Sequence, residues 1–155
     1  MAEFGGRAIR FMSAEAELEF VDTKVLVYAH DPSAGRKHAE AVALATRLWE
    51  SRTGCLSVQV LQEFFVTVTR KVPKPLALDD AEARVQELGR WTVFSPRAID
   101  VLAAIGLQRR HQLSFWDAMI LESAAQLGCA LLWSEDLQPD LRVRGVRVRN
   151  PFVTG

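Results

Sequence analysis

Cysteine is scarce in this sequence, and its scarcity excludes two common ways of holding a small protein together. Among 155 residues there are only Cys55 and Cys129, each inside a short apolar run. Small buried thiols of a reducing compartment are placed this way, so no disulfide framework is expected. With three histidines the two cysteines show no spacing suited to zinc. Long hydrophobic runs are lacking too, since none approaches the roughly 20 apolar residues that cross a bilayer. The opening stretch "MAEFGGRAIRFMSAEAELEF" has no continuous apolar segment and carries acids, unlike a secretory leader. Net charge is also absent. Nineteen basic and nineteen acidic side chains cancel, so overall charge argues neither for nor against a nucleic-acid partner. Internal repeats, low-complexity segments and linkers are missing. What remains is 49% apolar and 25% charged, a globular composition. The expected organisation is an N-terminal extension over 1–18, disordered, then a single domain over 19–155 in the cytoplasm.

Short β-like runs alternate with longer helical ones. "EFVD" reads as a strand and "TKVLVYAHD" as the helical turn after it. "GRKHAEAVALATRLWESR" sets Ala41, Leu44, Ala45, Leu48 and Trp49 at helical spacing. "GCLS" is a second strand, with Ser57 placed to cap the next helix, "VQVLQEFFVTVTRKV". Val58, Leu61, Phe65 and Val68 form its expected apolar face, and "PKP" at 73–75 ends it. "DDAEARVQEL" is expected to be capped by Asp79 or Asp80 and closed by Gly89. After the strand "WTVF", Ser95–Pro96 predicts a helix start running to about Arg110. "LSFWDAMILESAAQLG" has Ser114 as N-cap and Gly128 just past its end. "CALLW" and "RGVRVRN" complete the strands. The alternation predicts an α/β fold, with a mostly parallel sheet covered by helices on both faces. In such sheets ligands bind beyond the carboxyl ends of the strands.

Acids fall at those ends. Asp22 closes the first strand, Asp136 and Glu135 follow the strand ending at Trp133, and Asp117 opens a helix. Glu63 lies about two turns into the helix leaving the second strand, beside Val60, Phe64 and Thr67. Each has a plain structural role open to it: Asp22 as a helix cap, Asp117 as the third residue after Ser114, Glu63 as an exposed helix residue, and Glu135 and Asp136 as turn residues. Asp100 and Asp140 are expected at the surface. Their convergence is the signal. Clustered carboxylates without a compensating cation repel, and a divalent ion relieves this. Oxygen ligands suit Mg²⁺ or Mn²⁺ and the hydrolysis of phosphodiesters.

"FVDTKVLVYAHD", "LSVQVLQEFFVTVTRK", "LSFWDAMILESAAQLG" and "LLWSEDLQ" resemble the successive motifs of PIN-domain nucleases, above all the VapC toxins of bacterial toxin–antitoxin pairs. The resemblance covers about 19–150. It implies a three-layer α/β/α fold around a mostly parallel five-stranded sheet, and Mg²⁺- or Mn²⁺-dependent endoribonuclease activity. It also implies a homodimer and inhibition by a VapB-like antitoxin. By position, Asp22, Glu63, Asp117 and Asp136 match the catalytic, metal-binding acids, with Glu135 competing for the last place. Thr23 and Ser134 are expected to orient carboxylates or water.

An RNA partner calls for cations beside the acids. The candidates are Arg36–Lys37–His38, Arg70–Lys71 with Lys74, Arg109–Arg110–His111, and Arg142, Arg144, Arg147 and Arg149 near the C-terminus. Some of these sit where helix C-termini favour bases anyway. Phe115 and Trp116 either pack or stack on a base; Trp49 and Trp91 are expected in or near the core. Three readings compete with the toxin. One is a PIN nuclease of RNA processing, and another is a non-catalytic domain that binds RNA or an antitoxin. The third is a haloacid-dehalogenase-type phosphatase, which wants an acid two residues after Asp22, where this chain has Lys24.

Overall fold

The first strand, β1 (Glu19–Val21), is buried along its whole length, as a strand covered on both faces must be. The computed structural model describes residues 16–153, so all but the last three residues of the expected extension lie outside it. β1 sits at the centre of a sheet whose order is β3-β2-β1-β4-β6-β5. Its neighbours are β2 (Gly54–Ser57) and β4 (Leu131–Trp133), both parallel to it. β3 (Thr92–Phe94) pairs in parallel with β2, and β6 (Val146–Arg149) with β4. Register places Cys55, Phe20, Leu132 and Val148 side by side across four strands, all fully buried. Burial of such side chains contributes roughly 1.5–3 kcal/mol each for the large ones.

The sheet has six strands rather than five. The extra one, β5 (Arg142–Val143), is a two-residue edge antiparallel to β6. Arg144 and Gly145 between them both take positive φ, 50° and 85°, the combination that a tight hairpin turn requires. The run "RGVRVRN" therefore forms a strand only from Val146, its first two residues being the turn.

Helices flank the sheet in the expected three-layer arrangement. α1 (Thr23–Ala29) packs on α2 (Arg36–Ser51) and α3 (Val58–Arg70), and α3 packs on α4 (Leu78–Leu88). α5 (Ala98–His111) lies along α6 (Phe115–Gln126). α6 is buried without interruption from Ala118 to Ala124, as an apolar helix enclosed on all sides would be. Cys55 and Cys129 are buried and free, as expected.

Several local expectations change. The core face of α3 is Val60, Phe64 and Val68, one residue round from most of the predicted set; Leu61 and Phe65 are only partly buried. α4 starts from Ala77 with no side-chain cap, and Asp79 and Asp80 lie in its first turn. α5 starts from Arg97, two residues later than Ser95–Pro96 predicts. Its first turn is fixed by Asp100, which accepts from the Arg97 amide at 2.7 Å and is only 1% exposed. Asp100 is therefore an internal clamp and not a surface residue. Trp49, expected in or near the core, is 46% exposed.

Candidate metal-binding site

Parallel strands end together, and the carboxyl rim of β1, β2 and β4 is where the acids meet. The Asp22 amide donates to the Trp133 carbonyl at 3.0 Å, and the Ser134 amide to that of Arg149 at 2.9 Å. These bonds carry the ladder one step past β1 and β4, and so set Asp22 beside Ser134. Asp22 is the N-cap of α1, accepting from the Thr23 amide at 2.7 Å. Its other oxygen accepts from the Ser134 hydroxyl at 3.0 Å. The plain capping role and a place at the rim thus coincide in one residue. α3 leaves β2 directly, with Ser57 as its N-cap, which brings Glu63 back over the rim two turns later. Ser114 caps α6 by accepting from the Asp117 amide at 3.1 Å, which holds Asp117 at the same edge.

The acids sense one another. Burial raises the Asp22 carboxyl to about 6, and the charges of Asp117 and Glu63 push the same way against the opposing hydrogen bonds of Thr23 and Ser134. Burial also raises Asp117, and the neighbouring charges of Asp136 and Glu63 add to it. Asp22, Glu63, Asp117 and Asp136 thus form one electrostatic neighbourhood. Among the described residues, though, no three His, Cys, Asp or Glu side chains are grouped tightly enough to hold a metal ion as they stand. Protein hydrogen bonds engage several of the oxygens instead. Glu63 accepts from the Thr23 hydroxyl at 2.7 Å and from the Gln59 amide at 3.2 Å. Asp136 is paired with Lys24 at 3.0 Å.

The two neighbouring acids after β4 part company. Glu135 accepts from the Tyr28 hydroxyl at 2.8 Å and is bound by Lys37. Burial opposes its ionisation, but the hydrogen bonds from Lys37 and Tyr28 outweigh this and lower its pKa. Glu135 is committed to the α1–α2 side, whereas Asp136 faces Asp117.

Lys24 and Gln59 were not foreseen. Gln59 precedes Glu63 by four residues on one helix, a spacing that puts side chains side by side and was legible. Its Oε1 is buried without a protein partner, a polar atom left over at the edge of the acids. Lys24 was noted only as a departure from phosphatase chemistry; its reach to Asp136, 112 residues away, needed the fold.

The candidate RNA-binding arginines are divided. Arg144 pairs with the wholly buried Glu122, and Arg147 with Asp140 at 2.7 Å. Arg149 lies 5.5 Å from the Trp133 ring centroid, and Arg142 is exposed. In the 36–38 group, Lys37 is tied to Glu135, Arg36 donates to the Phe152 carbonyl at 3.2 Å, and His38 bonds the Tyr28 carbonyl at 2.8 Å. Trp116 is exposed and stacks edge-on against Phe115 at 5.1 Å.

Residues 20–142 match the PIN domain family. Comparison with curated protein sequences found no match. Among solved structures, the chain is similar to a toxin-antitoxin complex from Klebsiella pneumoniae, at 19% identity and a TM-score of 0.64. That similarity covers 86% of this chain and 98% of the other. It is also similar to Mycobacterium tuberculosis VapC20, described as a sarcin-ricin loop cleaving toxin, at 21% identity and a TM-score of 0.58. There it covers 76% of this chain and 89% of the other. At these identities the likeness is one of fold.

Proposed function

This chain belongs to the PIN domain family, and from that premise we propose that it is a Mg²⁺- or Mn²⁺-dependent endoribonuclease acting as the toxin of a type II toxin–antitoxin pair. One observation carries the reading. Asp22, Glu63 and Asp117 converge at the carboxyl rim, and two of them have their pKa raised by burial and by each other's charge. Among the described residues only Asp136 of the four has a basic partner. A donor set made of carboxylate oxygens is what a hard divalent cation takes.

Asp22, Glu63, Asp117 and Asp136 would hold the ion; Asp136 fits that place better than Glu135 because its charge acts on Asp117, whereas Glu135 is tied to Tyr28 and Lys37. When bound, the ion supplies Lewis acidity toward a phosphoryl oxygen and a water of lowered pKa. The chain's own contribution is orientation. Ser134 fixes one oxygen of Asp22 and the Thr23 amide the other, while the Thr23 hydroxyl and Gln59 hold Glu63. Such supporting hydrogen bonds keep ligands aligned, and losing one commonly costs 10–100-fold in affinity or activity. Lys24 is close enough to meet a phosphate approaching Asp136.

The toxin-antitoxin complex and the sarcin-ricin loop cleaving toxin among the similar structures support an antitoxin partner and RNA as substrate. Exposed Ile99 and Leu102 on α5, with Trp116 on α6, supply apolar surface for a homodimer. No helix among the described residues is long and apolar enough to cross a membrane, and we place the protein in the cytoplasm.

The test uses protein freed of any partner, incubated with structured RNAs and Mg²⁺ or Mn²⁺, beside Asp22→Asn and a chelator control. Metal-dependent cutting that the substitution abolishes supports the nuclease. Tight RNA binding without cutting would replace it with a binding domain, and phosphate release from small esters with a phosphatase.

A further inference from the structure

At the opposite end of the sheet, two adjoining cavities of about 440 and 270 Å³ meet across Trp49 and Trp91. Gly54 and Thr92, the amino-terminal residues of β2 and β3, line the larger one. The strand separates this cleft from the acid rim by roughly 10 Å. Trp91 lies directly on the strand: a Cβ at position 54 would come within 2.5 Å of its ring. Glycine is therefore what lets an indole form the floor. Trp49 rises from α2 as a half-exposed wall. Arg52 and Arg90 complete the larger cavity. Arg52 is pinned at the end of α2 with φ of 59°, its amide donating to the Leu48 carbonyl.

The charges at this cleft are one-sided. Among the described residues, neither Arg52 nor Arg90 has a carboxylate within ion-pair distance. The acid on the smaller cavity's rim, Glu87, is engaged by Arg84 at 3.1 Å. His30, which lines the same cavity, has its pKa lowered by burial. Two indoles and two guanidinium groups without an acidic partner among the described residues match a planar base joined to a phosphate. Sequence-tolerant strand binding uses this combination, with stacking for the base and arginine for the backbone.

We propose that the Trp49–Trp91 cleft, with Arg52 and Arg90, is a second RNA site that grips a single-stranded segment away from the acid rim. This rests on the nuclease reading. A strand held there and running round the β3 edge would anchor substrate without touching the reacting phosphate. The two indoles favour RNA over an acidic peptide, which would match the cations but lacks bases to stack.

The experiment measures binding of a labelled single-stranded oligouridylate to the full chain in chelator, where cutting is suppressed. Trp49→Ala is expected to weaken binding about tenfold, with Trp49→Phe restoring most of it. Arg90→Gln is expected to reduce the slope of log affinity against log salt by roughly 0.7, one phosphate contact on a single strand. The thermal melt of Arg90→Gln should match the wild type because its side chain is exposed, while Trp49→Phe keeps most of the packing of the half-buried indole and so separates lost stacking from lost stability. Unchanged affinity and slope in these variants, with wild-type binding intact, overturns the second site and leaves the acid rim untouched. Displacement of the RNA by adenosine monophosphate or polyglutamate at equal concentration of charge overturns the assignment to a strand. No wild-type binding at all overturns this site, and cleavage of structured RNA in Mn²⁺ then decides the nuclease reading separately.

Discussion

The Thr23 hydroxyl donates to Glu63 at 2.7 Å, joining residues 40 apart in the chain. This bond ties the first turn of α1 to the second turn of α3, and its donor stands next to Asp22, which caps α1. One threonine thereby sets the positions of two acids, one through its amide and one through its hydroxyl.

Thr23→Val keeps the shape and removes the hydroxyl. Glu63 loses a charge-assisted bond, so stability should fall by about 1–2 kcal/mol, and cleavage should fall at least tenfold. Thr23→Ser should recover both. Urea unfolding and RNA cleavage measured on the three proteins check this; a valine variant with full activity would remove Thr23 from the site.

Asp22 makes stability depend on pH in an unusual direction. Its folded pKa, about 6, lies above the ordinary 3.8, so between those values the folded state binds more protons than the unfolded one. Stability is then greatest below pH 4 as far as this group is concerned, and declines as pH rises through 6. The full loss is ~3 kcal/mol. Asp22→Asn should abolish cleavage while flattening this decline. Denaturation at several pH values in chelator decides it, and a wild-type curve rising from pH 4 to 7 without contribution from Asp22 would contradict the burial argument.

Glu135 and Asp136 should separate cleanly. Asp136→Asn is expected to weaken Mn²⁺ binding by calorimetry at least tenfold. Glu135→Gln should leave metal affinity within about twofold and lower the melting temperature, because Lys37 and Tyr28 lose their shared acceptor. The reverse pattern would transfer the fourth ligand to Glu135.

Arg144 is expected to matter for the fold ahead of RNA. Its partner Glu122 is fully buried in α6, so Arg144→Ala strands a buried carboxylate and should destabilise by about 3–5 kcal/mol. Adding Glu122→Gln should restore much of that, a sign that the cost comes from the unpaired charge. Equilibrium unfolding of the single and double variants measures it.

The order of strands and helices, the caps at Ser57 and Ser114, and the approach of Asp22, Glu63, Asp117 and Asp136 were legible in the chain, because periodicity and strand-end position are local properties. Local signals also misled. Ser95–Pro96 looks like a helix start, yet Asp100 reaching back to Arg97 sets the first turn. The two-residue strand β5 is too short for any pattern and exists because the Arg144–Gly145 turn folds it onto β6. Which partner each of the two carboxylates takes could not be read either. That depends on Lys24, Lys37 and Tyr28, which approach Glu135 and Asp136 from about a hundred residues away and choose between neighbours differing by one position.

By itself, then, the sequence determined that Asp22 would close the first strand and that Glu135 and Asp136 would follow another, because where an apolar run stops is a local property. Tertiary structure alone decided how those charges are compensated. Compensation is a matter of a few ångströms between side chains from distant segments, and only the packed sheet sets those distances.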